Sequence, residues 1–368
     1  MHKMHKFNSV IQAFANSKAA SWLLLLGFFY MIAAASHAGF MAKYALRDGD
    51  KTFSIVNMVD GTAERPFVYR HLIPAIAKAG QQLITDPNST VFSQFKKLKL
   101  DASQNYTRAT ATNTPGYEYA YRIVYLTNFI ALFVSLILLR ALLLRLKFGQ
   151  LESAIAPAAF VIAFPYVQSI GGFFYDSVEL AFFSGALLLA VKGRLFALII
   201  LTIFATLNKE SFLFFIPTLY PILREKFALK KTLLILGVAL LVAALVKAYL
   251  QHTYQANLGS EMYVQFFDNI KAYLNPLTYL RNETTYGLPG PSGFFITTIA
   301  IMLIIALRGR PVVSSAWRQH FLIALIINFP LFFAFCVAGE LRNLSMLYVG
   351  SVVFIAAAIK TTQLGLKN

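Results

Sequence analysis

Asp48-Gly49-Asp50 holds the most closely spaced carboxylates in the chain. The glycine between them lets the backbone turn sharply, so the two side chains can converge on one cation or one hydroxyl. A carboxylate placed this way is a candidate general base, Asp48 ahead of Asp50. The pair is also a candidate holder of a divalent cation such as magnesium or manganese. The same tripeptide equally suits an ordinary polar turn.

Other charged residues stand in or beside apolar runs. Arg70 and His71 follow Arg65-Pro66-Phe67-Val68-Tyr69, and Asp176 and Glu179 are three apart after Gly171-Gly172-Phe173-Phe174-Tyr175. Lys209 adjoins Glu210, and Glu340 and Arg342 flank Leu341. Arg70, His71, Lys209 and Arg342 are candidates to grip a phosphate, the arginines favoured by their planar fork. Glu340 would orient Arg342 or meet sugar hydroxyls. Plainer roles are open to most of them: Glu340 and Arg342 as interfacial residues, Asp176 as a charge complementing a helix dipole, Lys209 with Glu210 as a satisfied hairpin tip. Glu179 resists such a reading, because one turn further along the same face it lies deeper in the apolar run.

The histidines add little: no pair has the spacing of metal ligands, and His37, in the first apolar run, reads as a packed polar residue. No Gly-x-Ser-x-Gly occurs, and the single cysteine, Cys336, lies inside an apolar run where it reads as a small buried hydrophobe. Asn88, Asn105, Asn282 and Asn343 begin Asn-x-Ser/Thr triplets.

The elements that must position these residues are membrane helices. Hydrophobic residues make up 58% of the 368 and charged residues 13%, and apolar runs of spanning length recur from end to end. The long runs lack strand-period alternation, so an all-α polytopic membrane protein is expected, not a barrel. The candidate spans are 19–41, 119–144, 151–170, 172–191, a broken pair 195–207 and 211–222, then 232–250, 293–308, 320–339 and 344–361, about ten in all. The broken pair is too short for two full crossings at about 1.5 Å per residue, so it reads as a hairpin of short helices whose tip is Asn208-Lys209-Glu210.

Charge segregates along this path. With the basic N-terminus in the cytoplasm, the inside segments hold seventeen basic residues against only Glu152 and Glu225, a net of +15 out of the chain's +17. The remaining fourteen of sixteen carboxylates fall on the outer side. Both termini are then cytoplasmic, and the basic residues serve topology rather than a nucleic-acid partner. Two outer loops follow, about 42–118 and about 251–292, within one transmembrane domain of 1–368. The first carries a short segment of helical periodicity ending near Leu83, expected to lie along the interface. The second closes with Gly287-Leu288-Pro289-Gly290-Pro291, expected to be turn.

A first span followed by an acidic Asp48-Gly49-Asp50, a long outer loop and an amphipathic stretch resembles the GT-C class of integral-membrane glycosyltransferases. Tyr175-Asp176 and Leu207-Asn208-Lys209-Glu210 are similar to segments of polytopic proteins of bacterial polysaccharide clusters. The resemblance covers most of the chain in topology and implies transfer of a sugar from a polyprenyl-phosphate carrier to a glycan, lipid or protein acceptor, at the outer face of a bacterial inner membrane. It departs from a pattern common in that class, since only a few residues follow the last span. Two rivals stay open: a lipid-linked oligosaccharide polymerase or ligase working through outer-loop arginines and histidines, and a flippase or transporter, which the broken helix suits.

Overall fold

The computed structural model describes residues 17–46, 48–85, 109–111, 116–168, 171–280, 282–285, 288–291 and 294–365. The tail residues His2 and His5, the triplets at Asn88 and Asn105, and Gly287 lie outside them.

The described chain is helical apart from one small ribbon. Its helices are α1 (Lys18–Tyr44), α2 (Ile55–Asp60), α3 (Leu72–Thr85), α4 (Tyr117–Arg145), α5 (Gln150–Val167), α6 (Phe174–Lys192), α7 (Leu195–Asn208) and α8 (Phe212–Arg224). After these come α9 (Leu229–Thr253), α10 (Phe266–Leu274), α11 (Phe294–Gly309), α12 (Ser315–Phe335) and α13 (Tyr348–Gly365). Seven helical segments are long and apolar enough to cross a membrane: α1, α4, α5, α6, α9, α12 and the stretch Leu341–Gln363 that includes most of α13. The apolar helices α7, α8 and Ile296–Gly309 within α11 are shorter. The protein is a polytopic helical membrane protein.

Local chemistry sets several helix ends. Ser17 accepts from Ala20 N at 3.1 Å to cap α1, and α6 closes on Gly193 in the left-handed conformation at φ +71°. Proline occurs inside α5, where Pro157 and Pro165 are buried, and inside α12 at the exposed Pro330. With no hydrophobic force between helices in lipid, close packing must hold them, and small residues permit it. Gly185 on α6 illustrates this: a Cβ there would come within 2.9 Å of Leu201 on α7.

Two large apolar layers result, with a small third cluster at Phe332 and Leu341. The larger joins α1, α4, α5, α6 and α13 through Phe29, Leu136, Phe160, Phe183 and Val352. The smaller caps one end of the bundle, where Ile55, Met58, Val68 and Tyr69 of the first loop pack on Phe40, Tyr121, Phe174 and Tyr175. In this loop α3 buries Ile73 and Ala77 while Ile76 and Leu83 stay exposed, as its amphipathic sequence dictates.

The structure corrects one expectation for the second loop. Leu288–Pro291 is not turn but a strand, β2, paired antiparallel with β1 (Asn282–Thr285), Asn282 opposite Pro291 and Thr285 opposite Leu288. Pro289 and Pro291 are compatible with a two-stranded ribbon because every strand in it is an edge. The loop also contains α10, which docks on the end of α12: Asn269 Nδ2 donates to the carbonyls of Phe333 and Cys336, at 2.7 Å each.

Candidate functional site

The end of the bundle capped by the first loop holds most of the charged residues singled out above. Gly171 turns the chain at φ +74° into α6, and Gly172 lies so close to Tyr44 that a Cβ would approach its ring to 2.7 Å. That tight entry fixes the first turn of α6. There Asp176 accepts from Phe173 N at 2.9 Å, the ordinary first-turn role of a carboxylate, yet its other contacts exceed that role. Lys209, at the α7–α8 corner, stands 2.8 Å from Glu179 and 3.7 Å from Asp176. Arg342 reaches Asp176 at 3.2 Å and Glu340 at 2.6 Å. Ser211 donates to the second oxygen of Glu179 at 2.8 Å, and Asn208 donates to the carbonyl of Tyr175 at 3.1 Å.

Asp176, Glu179, Lys209 and Arg342 are all buried. Ions this deep persist only when paired and hydrogen-bonded, so the lattice locks the α6 entry, the α7–α8 corner and the segment before α13 to one another. Phe173 lies under Arg342 with its ring centre 4.7 Å from the guanidinium carbon.

Above this floor opens a cavity of about 660 Å³. Arg70, Lys209, Glu210, Glu340 and Arg342 line it, together with Lys247 of α9. Its other wall is apolar: Phe214 of α8 with Leu331, Phe332 and Phe335 of α12. Phe214 and Phe335 are 40% and 36% exposed, so this wall continues onto the outer surface of the helices.

Within the cavity Arg70 donates from Nη2 to Glu210 Oε1 at 2.8 Å. Its guanidinium sits beside the rings of Phe67 and Tyr175, 5.2 Å and 5.7 Å from their centres. Arg70 Nε and Nη1 and Glu210 Oε2 are buried and have no hydrogen-bond partner among the described residues. A buried donor or acceptor without a partner costs about 1–3 kcal/mol, more when charged, so these atoms have capacity for a further hydrogen bond.

Three of the singled-out residues, Asp48, Asp50 and His71, stand apart from that cavity. Asp48 is buried, and both its oxygens are engaged: Oδ1 by Val56 N at 3.1 Å, Oδ2 by Thr110 N at 3.0 Å, Thr110 Oγ1 at 2.7 Å and the hydroxyl of Tyr121. It ties the first loop to α4. Asp50 points elsewhere and caps its own turn, accepting from Thr52 N at 2.9 Å. The two carboxylates therefore serve different donors and do not fit a shared cation. Among the described residues no cluster of three or more His, Cys, Asp or Glu is gathered for a metal. His71 pairs with Tyr254 at 2.8 Å, and burial, with Lys78 next in effect, lowers its pKa below the usual histidine value. Asn343, far from being a free glycosylation acceptor, donates to Glu340 Oε2 at 2.9 Å. Of the buried histidines, His37 meets Asn128 Oδ1 at 3.4 Å and His320 meets the carbonyl of Thr218 at 2.8 Å.

Sequence reasoning passed over Lys247 and Glu261. A lysine well inside the long apolar stretch of α9, far from Lys230 and Lys231 at its start, was the available signal for the first. Glu261 has no local signal: besides Gln251, ten residues away at 2.7 Å, it gathers Tyr69 at 2.6 Å and Arg65 at 3.3 Å from the first loop. Burial and that hydrogen bond push the Tyr69 hydroxyl up to about 12. Cys336 departs from its expected place, since it too lines the cavity. No family model, curated protein or solved structure matches the chain.

Proposed function

We propose that this protein is a membrane glycosyltransferase that moves a sugar from a lipid-phosphate carrier to an acceptor hydroxyl of a glycan, lipid or protein. In this reading the chain crosses the membrane about ten times, the α7–α8 hairpin and α11 adding to the seven longer segments. Both termini are cytoplasmic, and the cavity opens to the outer side. The observation that carries the reading is one cavity that joins a carboxylate oxygen without a partner, Glu210 Oε2, to a guanidinium with unpaired N–H groups, Arg70, against an apolar wall. Those are the parts that transfer from a lipid phosphate requires: a base, an anion holder and a surface for an isoprenoid chain.

The acceptor O–H gives its proton to Glu210 as its oxygen attacks the anomeric carbon. The bond from that carbon to the phosphate oxygen breaks, and its electron pair leaves on the lipid phosphate beside Arg70. Glu210 takes the role that spacing alone suggests for Asp48, because the oxygens of Asp48 are already occupied. Arg342, Lys209, Asp176 and Glu179 form the fixed floor of the site, and no step is routed through a divalent cation.

One feature favours a transporter, the interrupted α7–α8 pair with charged residues at its corner. Turnover separates the two readings. Protein reconstituted in liposomes is supplied with radiolabelled polyprenyl-phosphate hexoses, and release of polyprenyl phosphate is measured. Transfer or donor hydrolysis is expected, lowered roughly 10²–10⁴-fold in Glu210→Gln. Label that crosses the bilayer on an intact donor, with no polyprenyl phosphate released, would overturn the enzyme reading.

A further inference from the structure

The four cations lining the cavity differ in how fully their charge is already met. Lys209 lies against Glu179 and Asp176, and Arg342 against Asp176 and Glu340. Arg70 spends one nitrogen on Glu210 and leaves Nε and Nη1 unpaired. Lys247 has no carboxylate within ion-pair distance among the described residues, although it lines the same cavity. Anion-binding capacity is therefore concentrated at Arg70 and Lys247, not at the more deeply buried Arg342 and Lys209.

Topology brings the two together. Lys247 is six residues inside the Thr253 end of α9, about 9 Å along the helix at about 1.5 Å per residue. The turn Phe67–Tyr69, which leads directly into Arg70, packs on α9, and Val246, the neighbour of Lys247, packs against the same apolar cap as Phe67. A lysine at this depth in an apolar helix needs a reason, and snorkelling to a headgroup is the common one. Here the half-buried side chain lines a cavity that Arg70 also lines.

We propose that Lys247 and Arg70 together hold the phosphate of a lipid phosphate, with Lys247 matching the second negative charge of a monoester. This deepens the transfer reading and rests on it for the lipid carrier. A phosphodiester donor carries one charge, and its cleaved lipid phosphate carries up to two. Lys247 thus meets charge that appears as the carbon–oxygen bond breaks, where a fixed cation accelerates the reaction. The lipid source, as against a free phosphate, follows from the apolar wall of Phe214, Leu331 and Phe335 that leads outward from the charged floor.

Binding tests this without requiring turnover. Purified full-length protein in nanodiscs is titrated with a polyprenyl monophosphate and, separately, with the uncharged polyprenol. Lys247→Gln is compared with Lys231→Gln, a change at an exposed lysine beside Phe227 at the opposite end of α9. Wild type and Lys231→Gln should bind the monophosphate at least tenfold more tightly than the alcohol, and Lys247→Gln should lose about tenfold for the monophosphate alone. Excess inorganic phosphate should compete only weakly. Equal affinity of Lys247→Gln and wild type for the monophosphate overturns the assignment, and competition by inorganic phosphate at concentrations matching the lipid overturns the lipid part of it. Should the binding pattern hold while no sugar donor is ever turned over, the transfer reading fails and the phosphate site stands.

Discussion

Arg70 and Glu210 share a single hydrogen bond, Nη2 to Oε1 at 2.8 Å, and each keeps unpaired atoms on the far side of that contact. Two groups that could satisfy each other more fully do not, and both line the cavity. The bond orients Glu210 so that Oε2 is left to accept a proton, and the aromatic rings of Phe67 and Tyr175 fix Arg70 from the side. A site with its reactive atoms held in place and unpaired needs little reorganisation when a substrate arrives.

Asp48→Asn separates a loop anchor from a base. Four donors converge on the Asp48 carboxylate, and an amide presents an N–H to some of them. The expected loss is on the order of 2–3 kcal/mol of stability. It should be read as a lower unfolding midpoint and as faster proteolysis of the first loop in nanodiscs. Folded Asp48→Asn should retain most of the wild-type turnover per molecule. A loss of turnover matching Glu210→Gln, with an unchanged unfolding midpoint, would return the base to Asp48.

The bundle was legible in the sequence because each span must satisfy its own backbone in lipid, and only a long apolar helix does so. Thus 119–144 and 232–250 appear in the structure as Tyr117–Arg145 and Leu229–Thr253. The charges inside the runs were legible for the same reason: Glu179 and Lys209 cannot face lipid alone, and they are found together. Side-chain direction in the loops was not. Asp48-Gly49-Asp50 looks the same whether it faces a cavity or turns inward, and what turns it are Thr110 and Tyr121, 62 and 73 residues away. Lys247 was hidden for the opposite reason, since nothing around it in the sequence is polar enough to reveal the cavity it lines.

The buried ion lattice should behave as one unit. Arg342→Met leaves Asp176 with Lys209 alone and Glu340 with no ion-pair partner among the described residues, and breaking a buried pair from one side costs about 3–5 kcal/mol. Asp176→Asn should be costly as well. The double variant should be less destabilised than the two losses added, by about 0.5–3 kcal/mol of coupling, measured by unfolding in mixed detergent. Strict additivity would show that Asp176 and Arg342 stabilise the fold independently.

His71 should make the contact between the first loop and the end of α9 sensitive to acid. Its pKa lies below the ordinary value of 6.5, so the folded state holds it neutral where an unfolded chain would begin to bind a proton. The contribution is therefore intact above pH 6.5 and is lost as pH falls through the lowered folded value. Protonation also makes both ring nitrogens donors, which restricts the contact with the hydroxyl of Tyr254 to one direction. The unfolding midpoint should fall with pH below 6.5, with a smaller slope in His71→Gln. An equal slope in both proteins would place the acid sensitivity elsewhere.

Finally, sidedness can be read directly. Met262 lines the cavity and is 54% exposed, whereas Arg310 follows α11 at the end rich in basic residues. In a Cys336→Ser background, Met262→Cys should react with a membrane-impermeant thiol reagent added to intact cells, and Arg310→Cys only after the membrane is opened. A polyprenyl monophosphate should slow labelling at Met262→Cys and leave Arg310→Cys unaffected, because only the first shares the cavity with Arg70 and Lys247. Reaction at Arg310→Cys in intact cells would invert the topology. The same carboxylates and cations would then face the cytoplasm, where a carrier-linked sugar facing outward could not reach them.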